Sequence, residues 1–331
     1  MSINNYSDNN SDNSNNLPLI EKYRPNQVNS IIGHEYIINT LNNYVKKEVY
    51  PHVLFYGPPG TGKTSTILVY ANQLYGNSKS RMIMHLNASD ERGIDIIRNR
   101  IKEFINTQSI FISNKPKLVI LDEADAMTED AQFSLRELVI NSKSTFFCVI
   151  CNYINKIHTT LQSRFIKYYF KPLEKKVVID KLIEISNKEN ISYTHNGIEE
   201  LYKLSQGDMR KCLNLLQSAT HSNISINENY IYQLFGKIKL DKIHRLISIL
   251  FNGDFNQCID EINNILNEGI SYITILNYIG EIINDYSIPP NIISQIGLEL
   301  SNIEYNCSLN TNQYIQINGL ISLFFYYRNQ I

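Results

Sequence analysis

Short apolar runs alternate with longer stretches of helical period in the first half of the chain. Five runs are typical of strands covered on both faces, because apolar residues dominate them without alternating; they span 52–56, 82–86, 117–121, 146–151 and 166–170. Helical stretches between them span 61–74, 93–106 and 130–141. Strands and helices that alternate at these lengths form parallel sheets with right-handed crossovers, so the pattern predicts an α/β domain.

Strand patterns end at about Pro172, and the rest of the chain keeps a helical period. This helical period predicts a small helical domain over residues 173–236 and a second one over residues 237–331. The sequence therefore predicts an α/β core over residues 17–172 that is followed by two all-helical domains.

Composition narrows the class of protein. Residues 1–16 consist mainly of Asn, Ser and Asp and predict a disordered tail, because they can bury too little apolar surface. The net charge of −1 and the 19% of charged residues argue against a nucleic-acid coat or a membrane-surface protein. One local basic strip could still contact DNA. No stretch approaches the ~20 apolar residues that span a bilayer, so no membrane partner is expected.

The five cysteines, an odd number at irregular spacing, favour a reducing cytosol or nucleus. Cys148 and Cys151 form a C-x-x-C pair, which could be a redox pair or half of a zinc site. No second Cys or His pair lies at zinc spacing, and both residues fall within an apolar run. We therefore interpret them as small core residues.

A glycine-rich loop separates the first apolar run from the first helical stretch. It matches the phosphate-binding pattern G-x-x-x-x-G-K-[ST] in the strand–loop–helix context that this motif requires. Glycines let backbone N–H groups turn toward phosphate oxygens, and the following helix start adds positive potential. We expect Lys63 to reach the β- and γ-phosphates and Thr64 to offer its hydroxyl to Mg²⁺. The predicted nucleotide-binding residues are Gly57, Pro58, Pro59, Gly60, Thr61, Gly62, Lys63, Thr64 and Ser65.

Two carboxylates follow the apolar run 117–121, at a strand end where open α/β sheets bind ligands. Asp122 can hold Mg²⁺ together with Thr64, directly or through water. Glu123 can polarise the attacking water as a catalytic residue. The alternative is a solvated acidic strand end, which the phosphate-binding loop upstream disfavours. The two motifs together predict an ATPase whose ligands are ATP and Mg²⁺.

Further segments resemble the small subunits of replication factor C, the eukaryotic clamp loader of the AAA+ superfamily. Their order and spacing match from Leu17 to about Phe235, nearest the subunit 3/5 type. The resemblance implies a AAA+ P-loop core, a helical lid over 173–236 and a C-terminal collar for oligomerisation over 237–331. The segments that carry it are Glu21–Pro25 (EKYRP), Leu86–Asp95 (LNASDERGID), Ile150–Tyr153 (ICNY), Gln162–Arg164 (QSR) and Gly207–Lys211 (GDMRK).

The resemblance also implies roles for single residues. Asn152 would be a catalytic sensor of the γ-phosphate, and Arg210 a second sensor carried by the lid; without the family, a polar strand end and a solvated arginine are the simpler interpretations. Arg164 would be an arginine finger that enters the neighbouring subunit's ATP site in trans. Leu19 and Phe165 depart from the family pattern, which usually has Trp and Cys there. Further residues of the nucleotide pocket would be Ile20, Arg24 and Ile32.

The implied partners are the other replication factor C subunits in a hetero-pentamer, the sliding clamp (PCNA) and primer-template DNA, bound without sequence preference. Basic residues in and before the helical stretch 93–106 could contact DNA phosphates or form a solvated face; they are Arg92, Arg98, Arg100 and Lys102. Gln108–Phe111 could press into the clamp or form a buried turn. A nuclear location and roles in DNA replication and repair follow from the same resemblance.

Two other functions remain open for this fold. A helicase-type AAA+ motor would share the nucleotide site, and clamp-loading and strand-displacement assays would separate the two functions. A structural subunit that binds ATP without turnover is disfavoured by Glu123. The favoured hypothesis is an ATPase switch. In it, ATP binding orders the subunits and opens the clamp, and hydrolysis releases the clamp onto DNA.

Overall fold

The structure is a computed structural model that describes residues 17–89, 94–107, 115–142, 144–220, 224–309, 311–328 and 330, with the backbone alone for residues 77 and 94–98. Some sequence-based predictions lie outside these residues. They concern the tail over 1–16, the DNA contact by Arg92 and the clamp contact by Gln108–Phe111.

Five parallel strands of the described chain form one sheet in the order β2-β3-β4-β1-β5. Val53 lies opposite Cys148 on one side and Ile166 on the other. Because all strands run the same way, their carboxyl ends lie at one edge of the sheet. The predicted parallel sheet is confirmed. The strands are β1 Val53–Tyr56, β2 Ile83–Asn87, β3 Lys117–Asp122, β4 Thr145–Cys151 and β5 Ile166–Tyr169.

Both faces of the sheet are covered, which explains why its strands are apolar without alternating. Phe55 and Cys148 lie in one buried apolar cluster, whereas the neighbouring Leu54 and Val149 lie in another. Successive residues join different clusters because side chains of a strand point to opposite faces in turn. Cys151 is a free thiol in the second cluster, so it and Cys148 lie on opposite faces, as two separate core residues would.

The sheet belongs to a compact unit that comprises, of the described chain, residues 17–192 and 198–220. The helices of this unit are α1 Leu19–Lys22, α2 Glu35–Lys47, α3 Lys63–Tyr75, α4 Lys79–Met82, α5 Ile94–Asn106, α6 Glu129–Asn141, α7 Thr159–Gln162, α8 Lys175–Lys188, most of α9 His195–Ser205, and α10 Met209–Thr220. Helices α2 and α3 contribute to the apolar cluster on one face of the sheet, and α5 and α6 to the cluster on the other. We call α8 and α10 the lid helices.

Residues 193–197 and 224–330 form a second compact unit. Its apolar core includes Leu250, Ile262, Ile279 and Phe324, all of them almost fully buried. Within the described part of the chain, no helix combines the length and apolar character that a membrane span needs. The helices of this unit are α11 Glu228–Leu234, α12 Leu240–Asn252, α13 Phe255–Asn267, α14 Tyr272–Ile282, α15 Pro290–Ser308 and α16 Gln313–Tyr327.

The compact units do not follow the predicted domain boundaries. The lid helices belong to the unit that contains the sheet, whereas α11, which the sequence assigned to the domain 173–236, belongs to the second unit. The division into domains at residues 172 and 236 stays a prediction.

Candidate nucleotide site

An open cavity lies at the carboxyl ends of β1, β3 and β4, within the unit that contains the sheet. Its volume is about 360 Å³, a size that suits a small ligand. The wall brings together residues from the glycine-rich loop, two strand ends, the N-terminal segment and α10. Those that the sequence had singled out are Ile20, Arg24, Ile32, Pro59, Gly60, Thr61, Gly62, Lys63, Thr64, Ser65, Asp122, Glu123, Asn152 and Arg210.

Two glycines of the loop are required by close contacts. A Cβ atom on Gly57 would lie 2.1 Å from the carbonyl oxygen of Phe170, and one on Gly60 would lie 1.8 Å from Oδ1 of Asp208. Their φ angles of +142° and +68° also favour glycine. The loop can therefore pass close to the end of β5 and the start of α10 only because these positions carry no side chain.

Lys63 is the most constrained cation of the site. Its side chain is only 7% exposed, and its Nζ donates to the carbonyl oxygens of Gly57 at 2.7 Å and Pro58 at 2.8 Å. A third hydrogen bond of 2.9 Å reaches Oδ1 of Asn152. Burial lowers the pKa of Lys63, and the nearby Asp122 acts in the opposite direction. Gly57 and Pro58 do not line the cavity; their carbonyl groups hold the lysine that does.

Thr64 and Asp122 form the second polar pair. The Thr64 hydroxyl donates to Oδ2 of Asp122 at 2.7 Å, and the Glu123 N–H donates to Oδ1 at 2.9 Å. His85 Nε2 lies 3.9 Å from the same carboxylate. Burial raises the pKa of Asp122, but the nearby His85 and the hydrogen bonds from Thr64 and the Glu123 backbone outweigh it, so the net shift is downward. The carboxylate therefore stays ionised at neutral pH.

These residues fit a nucleotide with Mg²⁺. A hydroxyl and a carboxylate are the hard oxygen ligands that Mg²⁺ prefers, and its remaining ligands are usually phosphates and water. Lys63, at the start of α3, adds positive charge beside them. The described residues contain no group of three or more acidic, histidine or cysteine side chains that could hold a metal by themselves. A phosphate-bearing ligand is thus the natural complement of this site.

Glu123 lies at the mouth of the cavity with an exposed side chain. Its φ and ψ angles of 54° and 37° are left-handed, which is uncommon for a residue other than glycine. Such backbone conformations cost free energy and occur often in functional sites. The strained turn directs the chain out of β3 immediately after Asp122.

Asp125 orients the end of β4, and sequence reasoning gave it no role. Its Oδ2 accepts hydrogen bonds from the backbone N–H groups of Asn152 at 3.3 Å and Tyr153 at 3.2 Å. The side chain of Asn152, in turn, accepts from Lys63. Asp125 therefore connects the acidic segment after β3 to the residue predicted to be a sensor. In the sequence, the feature that could have indicated this role is the place of Asp125 three residues after Asp122, in the acidic segment that follows β3.

The lid helices supply a further part of the wall. Arg210 lies in the first turn of α10, and the N–H of Met209 donates to the carbonyl of Gly60 at 3.3 Å. Helix α8 adds Lys181 and Ile185. Sequence reasoning missed Lys181, Ile185 and Leu213 because nothing local distinguishes them from core or surface positions. It also gave no pocket role to Tyr23, although this residue lies in the Glu21–Pro25 segment.

Arg164 does not line the cavity. It is exposed and precedes β5, whose first residue, Ile166, donates its N–H to His52 at 2.9 Å and pairs with Val53 at the start of β1. Arg164 therefore lies at the amino edge of the sheet, opposite the cavity. Phe165, which departs from the family pattern, is 7% exposed and packs into the apolar cluster of its own unit.

Of the residues predicted to contact DNA, Arg100 and Lys102 are exposed on α5. Arg98 lies on the same helix, two residues before Arg100. These positions leave DNA contact by α5 a prediction.

Two family models match parts of the chain. The model of the ATPase family associated with various cellular activities (AAA) matches residues 53–173, and that of the replication factor C C-terminal domain matches residues 238–322. The solved structure of the Thermotoga maritima RuvB Holliday junction branch migration motor covers 70% of the chain with a TM-score of 0.53. The matched region is 80% of the RuvB chain, and the two sequences are 15% identical over it, so this similarity shows the fold alone.

Similar sequences cover nearly the whole chain. Replication factor C subunit 5 of Homo sapiens is 39% identical over 93% of this chain and 92% of its own length. The probable subunit 5 of Dictyostelium discoideum is 40% identical, over 93% and 90%. Subunit 3 of Saccharomyces cerevisiae is 38% identical, over 92% of each chain. The chain therefore belongs to the replication factor C family, as a AAA ATPase subunit of the clamp-loader type.

Proposed function

We propose that the chain binds ATP and Mg²⁺ in this cavity and hydrolyses ATP as a small subunit of a hetero-pentameric clamp loader. The loader would open the sliding clamp (PCNA) and place it on primer-template DNA in the nucleus, during replication and repair. One observation carries the nucleotide part of the proposal: the hydrogen-bonded pairs Lys63–Asn152 and Thr64–Asp122 line the same cavity beside a glycine-rich loop.

The polar residues beside the glycine-rich loop have separate chemical tasks in this proposal. Thr64 and Asp122 hold Mg²⁺, which supplies positive charge to the phosphates when it is bound. Lys63 donates hydrogen bonds to phosphate oxygens in place of its present carbonyl partners. Glu123 accepts a hydrogen bond from the attacking water, and Asn152 orients that water or the γ-phosphate through its amide. Backbone N–H groups of residues 60–64 face the remaining phosphate oxygens.

The lid would convert nucleotide occupancy into movement. Arg210 enters the cavity from the same helix whose first N–H contacts Gly60. A ligand that binds one lid position better than another shifts the equilibrium by the difference in affinity. The step from ATP to ADP removes the phosphate nearest Arg210 in this scheme. Clamp opening and release would therefore follow from different affinities of the ATP and ADP states.

In the hetero-pentamer, an arginine of one subunit would complete the ATP site of its neighbour. Arg164 cannot join the cavity of its own chain, because it lies at the amino edge of the sheet. A neighbouring subunit that docks on this edge would receive Arg164 as an arginine finger. Contacts to DNA phosphates by Arg98 and its neighbours on α5 would be independent of sequence and sensitive to salt.

The central test replaces the lysine of the site in the assembled complex. For Lys63→Ala we expect loss of ATP photo-crosslinking to this chain and impaired clamp loading, because the buried ammonium and its hydrogen bonds are removed. Lys47→Ala, at an exposed position at the end of α2, is the matched control and should retain both activities. Undiminished crosslinking in Lys63→Ala would contradict the assignment of the site.

A further inference from the structure

The N-terminal helix α1 is attached to the lid helices at both of its ends. The backbone N–H of Leu19, a free donor at the helix start, donates to Oε1 of Gln217 on α10 at 2.9 Å. At the other end, Lys22 and Tyr23 both contact the carboxylate of Glu189, which directly follows α8. The four-residue α1 is too short to be stable alone, so these contacts fix its position.

Glu189 makes the more specific of the two attachments. Lys22 Nζ lies 2.7 Å from Oε1 and 2.9 Å from Oε2, and the Tyr23 hydroxyl donates to Oε1. All three side chains are partly buried. A carboxylate at the C-terminal end of a helix is unfavourable unless it is paired, because the helix dipole makes that end negative. Lys22 supplies the positive charge that offsets this cost.

The protonation states support a directed contact. Burial raises the pKa of Glu189, but hydrogen bonds from Lys22 and Tyr23 outweigh it and the net shift is downward. Burial and the contact with Glu189 raise the pKa of Tyr23. At neutral pH the carboxylate is therefore ionised, and the tyrosine keeps the proton that it donates.

The contact lies directly behind the wall of the nucleotide cavity. Ile20 and Tyr23 line that wall from the N-terminal segment, and Ile185 and Lys181 line it from α8. Ile20, Tyr23 and Ile185 give this part of the wall an apolar surface, which Glu21, Arg24 and Lys181 border with charged side chains. An apolar wall suits the face of a nucleobase, whereas the polar part beside the glycine-rich loop suits phosphates.

We propose that Glu189 is a positioning residue for the nucleobase: its carboxylate holds Lys22 and Tyr23 against the end of α8, and this keeps both halves of the apolar wall together. The inference rests on the proposed function, since it concerns the base of the nucleotide that the cavity would bind. Glu189 itself does not line the cavity, so it acts through Tyr23.

The test separates the base from the phosphates by comparing two ligands. Binding of MgATP and of inorganic triphosphate with Mg²⁺ is measured by calorimetry on the purified 331-residue chain. For Glu189→Ala we expect ATP affinity to fall on the order of tenfold, as for a lost charged hydrogen bond, while triphosphate affinity stays within about twofold. Tyr23→Phe should produce a smaller loss with the same selectivity, because the ring remains in the wall.

Controls keep the test independent of folding and of the proposed function. Glu268→Ala removes a similar two-oxygen contact to Lys242 in the second unit and should change neither affinity. Glu189→Gln keeps a hydrogen-bond acceptor and should lie between wild type and Glu189→Ala. Equal losses of both ligands, or no loss of ATP, in Glu189→Ala would overturn the proposal. A wild-type chain that binds neither ligand would instead refute the proposed function.

Discussion

The predicted functional residues line a shared cavity at the carboxyl edge of the central sheet, whereas the one at the amino edge is exposed. At the carboxyl edge, Lys63 donates a hydrogen bond to Asn152 at 2.9 Å and Thr64 donates one to Asp122 at 2.7 Å, and both pairs line one cavity. At the amino edge, Arg164 is exposed and lies beside the start of β1. The length of β1, about 13 Å at about 3.3 Å per residue, separates the edges.

This difference shows which residues of a chain can contact the ligand that the same chain binds. In a parallel sheet, strand ends converge at one edge, so residues that follow different strands meet there without further design. A residue that precedes a strand is carried to the opposite edge. Arg164 can therefore take part in ATP hydrolysis only at a site that another molecule brings to it.

The largest expected effect comes from the amino edge. In the assembled complex, we expect Arg164→Ala to slow ATP hydrolysis by about 10³-fold, because an arginine finger stabilises charge in the transition state. The nucleotide bound to this chain should remain, since Arg164 lies outside its cavity. Single-turnover hydrolysis and crosslinking of ATP to each subunit would measure the two effects separately.

A neighbouring cation provides the control for this variant. Lys167 is also exposed near the amino edge, on β5, and its Nζ contacts Gln162 at 3.4 Å. Lys167→Ala should leave hydrolysis nearly unchanged. If Arg164→Ala releases the nucleotide of its own chain, the separation between the two edges is wrong.

The next effect concerns the carboxyl edge. We expect Glu123→Gln to slow hydrolysis by about 10²-fold with ATP affinity retained, because the amide keeps the size of the side chain but cannot accept a proton from water. A filter-binding assay of ATP and a steady-state measurement of phosphate release on the same complex would show the split between binding and turnover.

Glu129→Gln serves as the matched change, since Glu129 is an exposed glutamate in the first turn of α6. It should leave turnover and binding as they are. Wild-type turnover by Glu123→Gln would mean that the strained residue after Asp122 has a purely structural role.

Much of the fold was predictable because it depends on local patterns. Continuous apolar runs gave all five strands to within a residue or two, for example 146–151 against β4 Thr145–Cys151. Helix α3 follows the glycine-rich loop as the motif requires. These features need only neighbouring residues, whose spacing a single sequence displays directly.

The remaining features depend on contacts between distant segments. The contact between Tyr23 and Glu189 joins residues 166 positions apart, and although Tyr23 lies in the Glu21–Pro25 segment, nothing in that segment indicates its partner. The need for glycine at position 60 comes from Asp208, in the turn before α10. The assignment of α11 to the second unit likewise reflects packing. Periodicity alone does not specify which helices pack together.

The smallest expected effect concerns the residue that holds the end of β4. Asp125→Ala leaves the N–H groups of Asn152 and Tyr153 without their acceptor, which costs about 1–3 kcal/mol for each group that stays buried. Because Asn152 is held only indirectly, we expect hydrolysis to fall by about tenfold and ATP affinity to change less. Phosphate-release kinetics over a range of ATP concentrations would give kcat and KM.

Asp125→Asn distinguishes positioning from charge at this residue. The amide oxygen can still accept both N–H groups, so this variant should recover most of the lost kcat, whereas a role for the negative charge would leave it as slow as Asp125→Ala. Asp130→Ala, at an exposed acid five residues further along the chain, controls for the loss of a carboxylate. Full activity in Asp125→Ala would show that Asn152 keeps its orientation through Lys63 alone, and the carboxyl edge would then depend on fewer residues than its hydrogen bonds indicate.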